Sequence, residues 1–219
     1  MDVDLRLYAL VDPNVAGGRT LADLAGLIAG NATLVQLRDK QGSTRAMVDE
    51  ARALRGVLEP AGVPLLINDR VDVALAAEAD GVHVGQDDMS PADARLLLGR
   101  TAIIGLSIST VQQAQAAPLE LLDYVGIGAV FTTSSKDDAD APIGVSGLRD
   151  IVRAIRARVP KFPICGISGV NAGNAGEVMK AGADGVAVIS ALSLAPDPGK
   201  AAQDLRAVVD AALLQRVRT

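Results

Sequence analysis

Short runs of β-branched and aliphatic residues alternate along the chain with longer stretches rich in Ala and Leu, whose apolar residues recur at helical spacing. Runs of this kind, bounded by turn residues, are typical of buried strands. The predicted strands are Leu7–Val11, Leu34–Leu37, Pro64–Ile67, Gly81–Val84, Ile103–Leu106, Tyr124–Ile127, Phe162–Cys165 and Gly185–Ile189. Predicted helices between and after them include Thr44–Leu58, Pro91–Leu98, Gly147–Val159, Asn174–Ala181 and a last one from about Pro198 to Leu214.

This alternation predicts a parallel sheet, because each strand must return to the same edge through a helix. Repeated units of this kind over 219 residues predict a (β/α)8 TIM barrel, with residues 1–219 forming one catalytic domain. The nearly continuous apolar strands fit a sheet that is buried on both faces. An open doubly wound sheet is the alternative. It normally has a G-x-G-x-x-G turn after the first strand, where this chain has Asp12-Pro13-Asn14.

Composition and charge exclude several classes of function for this chain. A net charge of −5 and a pI near 4.9 argue against a nucleic-acid partner, which requires a basic surface. A single cysteine excludes an internal disulfide and a cysteine-rich metal site. The first residues do not resemble a signal peptide, and no apolar run is long enough for a membrane span. We therefore expect a cytoplasmic protein without a membrane partner; the oligomeric state stays open, a homo-oligomer included.

Polar residues collect directly after the last apolar residue of nearly every predicted strand. In a (β/α)8 barrel these positions face the mouth at the carboxyl ends of the strands, where active sites lie. The turns at the opposite end are mostly Gly, Ala and Pro. The asymmetry indicates an active site built from Gln36-Leu37-Arg38-Asp39-Lys40, Asn68-Asp69-Arg70, Gly85-Gln86-Asp87-Asp88, Ser107, Thr133-Ser134-Ser135-Lys136, Gly166 to Gly169, and Ser190.

Asp69 and Asp88 follow consecutive strands, which lie about 4.8 Å apart in a sheet. Both carboxylates can therefore reach one ion. Hard oxygen ligands without nearby Cys or several His suit Mg²⁺, which takes one or two carboxylates together with substrate phosphate oxygens. The alternative is that each Asp caps the helix that follows it.

Cationic residues near these carboxylates indicate a phosphorylated small-molecule substrate. Arg38 and Lys40 come directly after a buried strand, and Lys136 lies in a hydroxyl-rich loop between Phe131 and Gly144. That loop is long for its place in a barrel, which predicts a binding loop or lid. The alternative for Arg38 and Lys40 is that they are solvated surface charges. The alternative for the loop that contains Lys136 is a plain polar loop without a binding role.

The last two strand–helix units contain a glycine-rich segment that is a further candidate binding site. Barrels often bind a phosphate there on backbone N–H groups. Glycine alone is weak support, because tight turns need it as well. The sole histidine, His83, lies between valines and is interpreted as a packed interior residue or one that supports a ligand from behind. Cys165 ends an apolar strand and is interpreted as a small core residue.

Taken together, these segments resemble the thiamine phosphate synthase family, also called thiamine-phosphate pyrophosphorylase. They run in the order of that family from the first strand to the eighth. The matching segments are Val35 to Lys40, Leu66 to Asp72, Asp80 to Asp88, Ile104 to Ser107, Asp123 to Gly128, Thr133 to Lys136 and Ala183 to Ser190.

The resemblance implies condensation of 4-amino-2-methyl-5-(diphosphooxymethyl)pyrimidine with 4-methyl-5-(2-phosphooxyethyl)thiazole, or its 2-carboxy form, to thiamine phosphate and diphosphate. It implies Mg²⁺ on Asp69 and Asp88, with Lys136, Arg38 and Ser107 as catalytic residues. The implied contacts to the pyrimidine diphosphate are Gln36, Leu37, Arg38, Asp39, Lys40, Asn68, Ser107 and Lys136. Those to the thiazole phosphate are Thr133, Ser134, Ser135, Gly169, Ile189 and Ser190. No protein nucleophile is required, which agrees with the lack of a His–Ser or Cys–His constellation in the sequence.

Two departures from the family pattern concern the thiazole side. Ser135 stands where the family usually has a second Thr, and Ser168-Gly169 replaces a pair of glycines. The Cβ atom of Ser168 either crowds the thiazole phosphate or brings a hydroxyl donor to it. Two other functions stay open: a barrel that isomerises thiazole phosphate, and a non-catalytic ligand binder with a regulatory role. Neither needs the full set of diphosphate and magnesium residues.

Overall fold

The protein folds as a closed barrel of parallel strands surrounded by helices, in a computed structural model that describes residues 3–133 and 141–217. The strands are β1 (Leu7–Val11), β2 (Leu34–Leu37), β3 (Leu65–Asn68), β4 (Gly81–Val84), β5 (Ile103–Ile108), β6 (Tyr124–Ile127), β7 (Ile164–Ile167) and β8 (Gly185–Val188). The helices are α1 (Leu21–Ile28), α2 (Thr44–Leu58), α3 (Val71–Ala77), α4 (Pro91–Leu98), α5 (Val111–Ala116), α6 (Gly144–Arg158), α7 (Ala175–Lys180), α8 (Ser190–Ser193) and α9 (Pro198–Val217).

The barrel closes because β1 pairs in parallel with both β2 and β8. Tyr8 lies opposite Leu34 on one side and opposite Ala187 on the other. Every other strand pairs with its neighbours in chain order. Closure confirms the predicted (β/α)8 barrel and excludes the open doubly wound sheet.

The apolar core has two layers. The barrel interior packs side chains that include Tyr8, Leu34, Leu66, Tyr124 and Cys165. The second layer fills the space between the strands and the surrounding helices. Cys165 is fully buried, as the sequence predicted.

Helix α2 shows how the sequence specifies the outer ring. Met47, Ala51, Leu54 and Leu58 recur at helical spacing and are buried against the sheet. Ser43 caps the helix by accepting the Ala46 N–H at 3.3 Å. The predicted bounds of this helix are confirmed.

Several predicted bounds were wrong by one to three residues. Strand β3 begins at Leu65 rather than Pro64, because proline has no N–H to donate to the hydrogen-bond ladder of the sheet. The Pro64 carbonyl still accepts the Val35 N–H at 3.0 Å. Pro163 likewise precedes β7, which therefore begins later than Phe162 and extends to Ile167. Strand β5 runs on to Ile108, and strand β8 stops at Val188 because α8 follows closely.

The helix ends also differ from the prediction. Helix α6 begins at Gly144 rather than Gly147 and ends at Arg158, and α7 is two residues shorter than predicted, spanning Ala175–Lys180. Helix α9 continues to Val217. Within the described parts of the chain, no helix combines the length and the apolar character that crossing a membrane requires.

Candidate active site

Two cavities adjoin at the carboxyl ends of the strands. The charged cavity has a volume of about 350 Å³ and is bordered by side chains that include Arg38, Lys40, Asp69 and Asp88. The neutral cavity has a volume of about 340 Å³, and its lining within the described residues carries no ionisable side chain. Ile167 and Ser168 border both cavities. The mouth of the barrel therefore contains two adjoining cavities, one lined by charged side chains and one lined by neutral side chains.

Lys40 and two carboxylates meet in the charged cavity. Lys40 Nζ lies 2.7 Å from Asp69 Oδ2. Burial raises the pKa of Asp69; Lys40 opposes this rise and the nearby Asp88 adds to it. Asp69 thus carries a partly buried charge beside a second acidic group. A cation shared by the two carboxylates would relieve this repulsion.

The helices that follow these carboxylates do not use them as caps. Ser90 caps α4 by accepting the Asp93 N–H at 3.1 Å, whereas Asp88 accepts the Gly85 N–H at 2.8 Å. Helix α3 begins after Arg70 and has no side-chain cap hydrogen bond. Asp69 itself has a left-handed backbone with φ +61°, which is uncommon for a residue other than glycine. The capping interpretation of the Asp pair is therefore wrong for both side chains.

Arg38 is held by a residue that the sequence analysis missed. Its Nη1 lies 2.5 Å from Oδ2 of Asp12, and the side chains are 10% and 1% exposed. The other carboxylate oxygen of Asp12 accepts the Asn14 N–H at 2.9 Å. Asp12 follows β1 directly, so the rule that found the other mouth residues could have found it too. Arg38 is thus a positioned side chain and not a solvated surface charge.

His83 pairs with Ser107, although no pattern in the sequence connects these two residues. Its Nε2 lies 2.9 Å from Ser107 Oγ, and its Nδ1 lies 2.8 Å from Tyr124 Oη. The expectation that no His–Ser pair exists was therefore wrong. The second partner of the imidazole is a phenol and not a carboxylate, so the arrangement differs from a catalytic triad. The interpretation of His83 as an interior residue supporting a ligand agrees with this geometry.

The neutral cavity is formed by loops after β6, β7 and β8. Thr133, Gly169, Ile189 and Ser190 all border it, and Ser190 is the first residue of α8. Gly169 has φ +67°, and a Cβ atom there would lie 2.5 Å from the Thr132 carbonyl oxygen. Only glycine fits that position without moving the neighbouring segment.

Ser168, the departure from the family pattern, lies where the two cavities meet. It is 9% exposed and has φ +76°, although it carries a Cβ atom. Its carbonyl accepts the Phe131 N–H at 3.1 Å, which joins the segment after β7 to the loop after β6. Backbone held in this region costs about 1–3 kcal/mol and is concentrated at functional sites.

The structure brings together some of the predicted binding residues and not others. Arg38, Lys40, Asn68 and Ser107 border the charged cavity. Leu37 is buried in the outer core, and the Asp39 carboxylate accepts the N–H groups of Gln41 and Gly42 at 2.9 and 2.8 Å. Gln36 is buried in the barrel and donates from Nε2 to Tyr8 Oη. These three side chains do not border either cavity.

Three predicted residues, Ser134, Ser135 and Lys136, lie outside the described residues. Gln86, which belongs to the predicted segment after β4, borders the charged cavity and donates to the Ser107 carbonyl at 2.6 Å. Gln113 was not singled out by the sequence analysis; it also borders this cavity and accepts the Ser109 N–H at 2.7 Å. Gln113 sits within α5, where reading only the residues that follow strands could not find it.

Comparison with known proteins gives a consistent result over nearly the whole chain. Residues 7–192 match the thiamine monophosphate synthase family. The chain is 50% identical over 208 residues to the thiamine-phosphate synthase of Chloroflexus aurantiacus, covering 94% of each protein. It is 48% identical over 210 residues to that of Xanthobacter autotrophicus, covering 95% of this chain and 97% of the relative.

A solved structure agrees with these relatives. The thiamine phosphate pyrophosphorylase from Pyrococcus furiosus superposes with a TM-score of 0.83 at 36% sequence identity. The superposition covers 96% of this chain and 98% of the other.

Proposed function

The chain belongs to the thiamine monophosphate synthase family, and we propose that its two cavities hold the two substrates of a condensation. It is a transferase of thiamine biosynthesis that forms thiamine phosphate with release of diphosphate. The observation that carries the proposal is the pair of adjoining cavities, charged and neutral, separated by Ile167 and Ser168. Each is large enough for a small-molecule substrate, because ligand sites begin at about 300 Å³.

The charged cavity is the site proposed for the pyrimidine diphosphate. Arg38 and Lys40 place two cations beside it, and charge-assisted hydrogen bonds to phosphate oxygens are among the stronger polar contacts in proteins. Asn68 and Ser107 offer neutral polar groups for the pyrimidine ring or its diphosphate. Asp12 holds Arg38 by an ion pair, so the guanidinium is fixed before substrate arrives.

Asp69 and Asp88 would hold Mg²⁺ in this cavity. The residues fit, because both side chains are hard oxygen donors and neither caps a helix. The described residues contain no cluster of three or more His, Cys, Asp or Glu suited to a metal ion. Two carboxylates are enough for Mg²⁺ when substrate phosphate oxygens complete its shell. A bound ion would neutralise negative charge on the diphosphate.

The neutral cavity is the site proposed for the thiazole phosphate. Thr133 and Ser190 bring hydroxyl groups, and the Gly169 loop lets backbone approach the ligand closely. Because no charged side chain borders it among the described residues, it suits a neutral ring carrying one phosphate better than a diphosphate. Ser168, at the boundary, is placed to contact either substrate.

The proposed reaction forms one C–N bond and breaks one C–O bond. The thiazole nitrogen donates its electron pair to the pyrimidine methylene carbon, and the C–O electron pair leaves with diphosphate. The protein contributes alignment of the two rings and cations near the leaving oxygens. Lys136, which lies outside the described residues, is proposed by resemblance to add a third cation.

The proposal is tested by incubating the purified chain with Mg²⁺ and both substrates. We expect thiamine phosphate and diphosphate to appear in equal amounts, and neither to appear when one substrate is omitted. A protein that only isomerises the thiazole would consume it without releasing diphosphate. A regulatory binder would bind ligand without turnover, and either result would overturn the proposed function.

A further inference from the structure

A chain of polar side chains crosses the interior of the barrel, where apolar packing is the rule. Gln36 donates to Tyr8 Oη, which lies 2.8 Å from Tyr124 Oη. Tyr124 Oη lies 2.8 Å from His83 Nδ1, and His83 Nε2 lies 2.9 Å from Ser107 Oγ. The first four side chains are at least nine-tenths buried, and Ser107 borders the charged cavity.

The barrel makes room for this chain. Gly105 lies opposite Tyr124 in the β5–β6 pair, and a Cβ atom at Gly105 would come within 2.2 Å of the Tyr124 ring. A Cβ atom at Gly126 would come within 3.2 Å of the His83 ring. The two tyrosine rings contact edge to face, with centroids 5.7 Å apart. The rings are therefore held where their polar atoms meet.

The donors and acceptors fix the direction of the chain. An amide nitrogen can only donate, so Tyr8 Oη accepts from Gln36. The one remaining partner of Tyr8 among the described residues is Tyr124, so the Tyr8 proton goes to Tyr124 Oη. Tyr124 then has His83 Nδ1 as its acceptor. The reverse direction would need the Gln36 amide to turn its oxygen toward Tyr8 Oη, which would leave the amide NH2 group buried without an acceptor. In the observed orientation the buried atom without a partner is Gln36 Oε1, and an unpaired acceptor is less costly than an unpaired N–H donor.

We propose that this chain holds His83 in the neutral tautomer with its proton on Nε2, so that His83 donates to Ser107 and the Ser107 hydroxyl donates into the charged cavity. Ser107 is then a hydrogen-bond donor to an acceptor atom of the pyrimidine diphosphate. Tyr124 and His83 are positioning residues that act through Ser107. Burial raises the pKa of both tyrosines, so each phenol keeps the proton it donates.

The test uses the fact that His83 is the single histidine of the chain. Imidazole labelled with ¹⁵N gives one pair of ring signals, whose two-bond couplings to the ring protons report which nitrogen carries the proton. In the folded wild-type protein at neutral pH we expect the Nε2–H tautomer. Observation of the Nδ1–H tautomer would overturn the proposal, and this measurement requires neither a variant nor activity.

Two matched variants, each lacking one buried phenol oxygen, test the direction. Tyr124→Phe removes the donor to Nδ1 and should give a mixture of tautomers. Tyr8→Phe leaves the Tyr124–His83 bond in place and should retain the Nε2–H tautomer. An unchanged tautomer in folded Tyr124→Phe would contradict the proposal. Circular dichroism and unfolding midpoints of both variants separate this effect from loss of fold.

Kinetics test the link to Ser107 and rest on the proposed function. Tyr124→Phe should lower kcat about three- to tenfold, as expected for one net hydrogen bond. In a Ser107→Ala background the same change should have no further effect on kcat, because its path to the substrate is already broken. Additive losses would overturn the proposed path. If the wild-type protein had no synthase activity, the proposed function would be wrong. The tautomer measurement would still decide whether the buried chain holds His83 with its proton on Nε2.

Discussion

The Asp12–Arg38 ion pair gives a prediction whose size follows from burial. Asp12→Asn keeps the shape of the side chain but removes the charge that faces Arg38 Nη1 at 2.5 Å. Removing one partner of a fully buried pair costs about 3–5 kcal/mol, because the other charge is left without compensation. Arg38 borders the charged cavity, where water reaches it, so we expect about 2–3 kcal/mol of lost unfolding free energy.

The Arg70–Asp72 pair is a matched control. Its atoms also lie 2.5 Å apart, but its side chains are 36% and 57% exposed. Exposed pairs contribute about 0–1 kcal/mol, so Asp72→Asn should lie within that range. The two pairs have the same shortest separation, and the control pair has the larger number of direct contacts, since Arg70 donates to Asp72 from two nitrogens in the first turn of α3. A larger loss in Asp12→Asn would therefore be the effect of burial.

Urea unfolding followed by circular dichroism measures both variants, with the slope of the transition checking that the unfolded state is unchanged. Asp12→Ala should cost about 1 kcal/mol more than Asp12→Asn, since it also removes the acceptor for the Asn14 N–H. A loss in Asp12→Asn no larger than that in Asp72→Asn would refute the reasoning that Arg38 is fixed by a buried counter-charge.

Three further predictions concern the site. EDTA should abolish turnover, and Asp69→Asn should weaken both metal and diphosphate binding; full activity in metal-free buffer would exclude the magnesium assignment. Lys136→Ala should reduce kcat about a hundredfold with pyrimidine diphosphate still bound within about tenfold of wild type, whereas a normal kcat would remove this lysine from the reaction. Ser168→Gly relieves a left-handed backbone at φ +76°, so the free energy of unfolding should rise; a lower KM for thiazole phosphate in the same variant would show that the Cβ atom crowds the cavity, and a higher KM that the hydroxyl binds it.

The barrel was predictable because its signals are local. Each strand is a short apolar run, and most of the residues at the mouth directly follow such a run. Arg38, Asn68, Asp69 and Ser107 could therefore be found by position alone. The start of β3 was predicted one residue too early, at Pro64. Proline continues the apolar run of the sequence, but it has no N–H to donate to the hydrogen bonds of the sheet.

The interactions behind the mouth residues could not be predicted in the same way. Tyr8 and Tyr124 are 116 residues apart, and they meet only because the register of the closed barrel turns both inward at neighbouring levels. The Asp12–Arg38 pair joins residues 26 apart. Neither separation is marked by periodicity or by a short motif. Such contacts depend on closure and register, which a single sequence does not specify locally.

The central claim is that the charged cavity binds the pyrimidine diphosphate and the neutral cavity binds the thiazole phosphate. Lys40→Ala alters only the first, and Gly169→Ala alters only the second, where the new Cβ atom would lie 2.5 Å from the Thr132 carbonyl oxygen. The decisive measurement is the KM for each substrate in both variants.

We expect Lys40→Ala to raise the KM for the pyrimidine diphosphate about tenfold or more, the size of one lost charge-assisted contact, with the KM for thiazole phosphate nearly unchanged. Gly169→Ala should show the opposite pattern, with the larger increase in the KM for thiazole phosphate. Equal increases in both KM values for either variant, or the reversed pattern, would contradict the assignment of the two cavities.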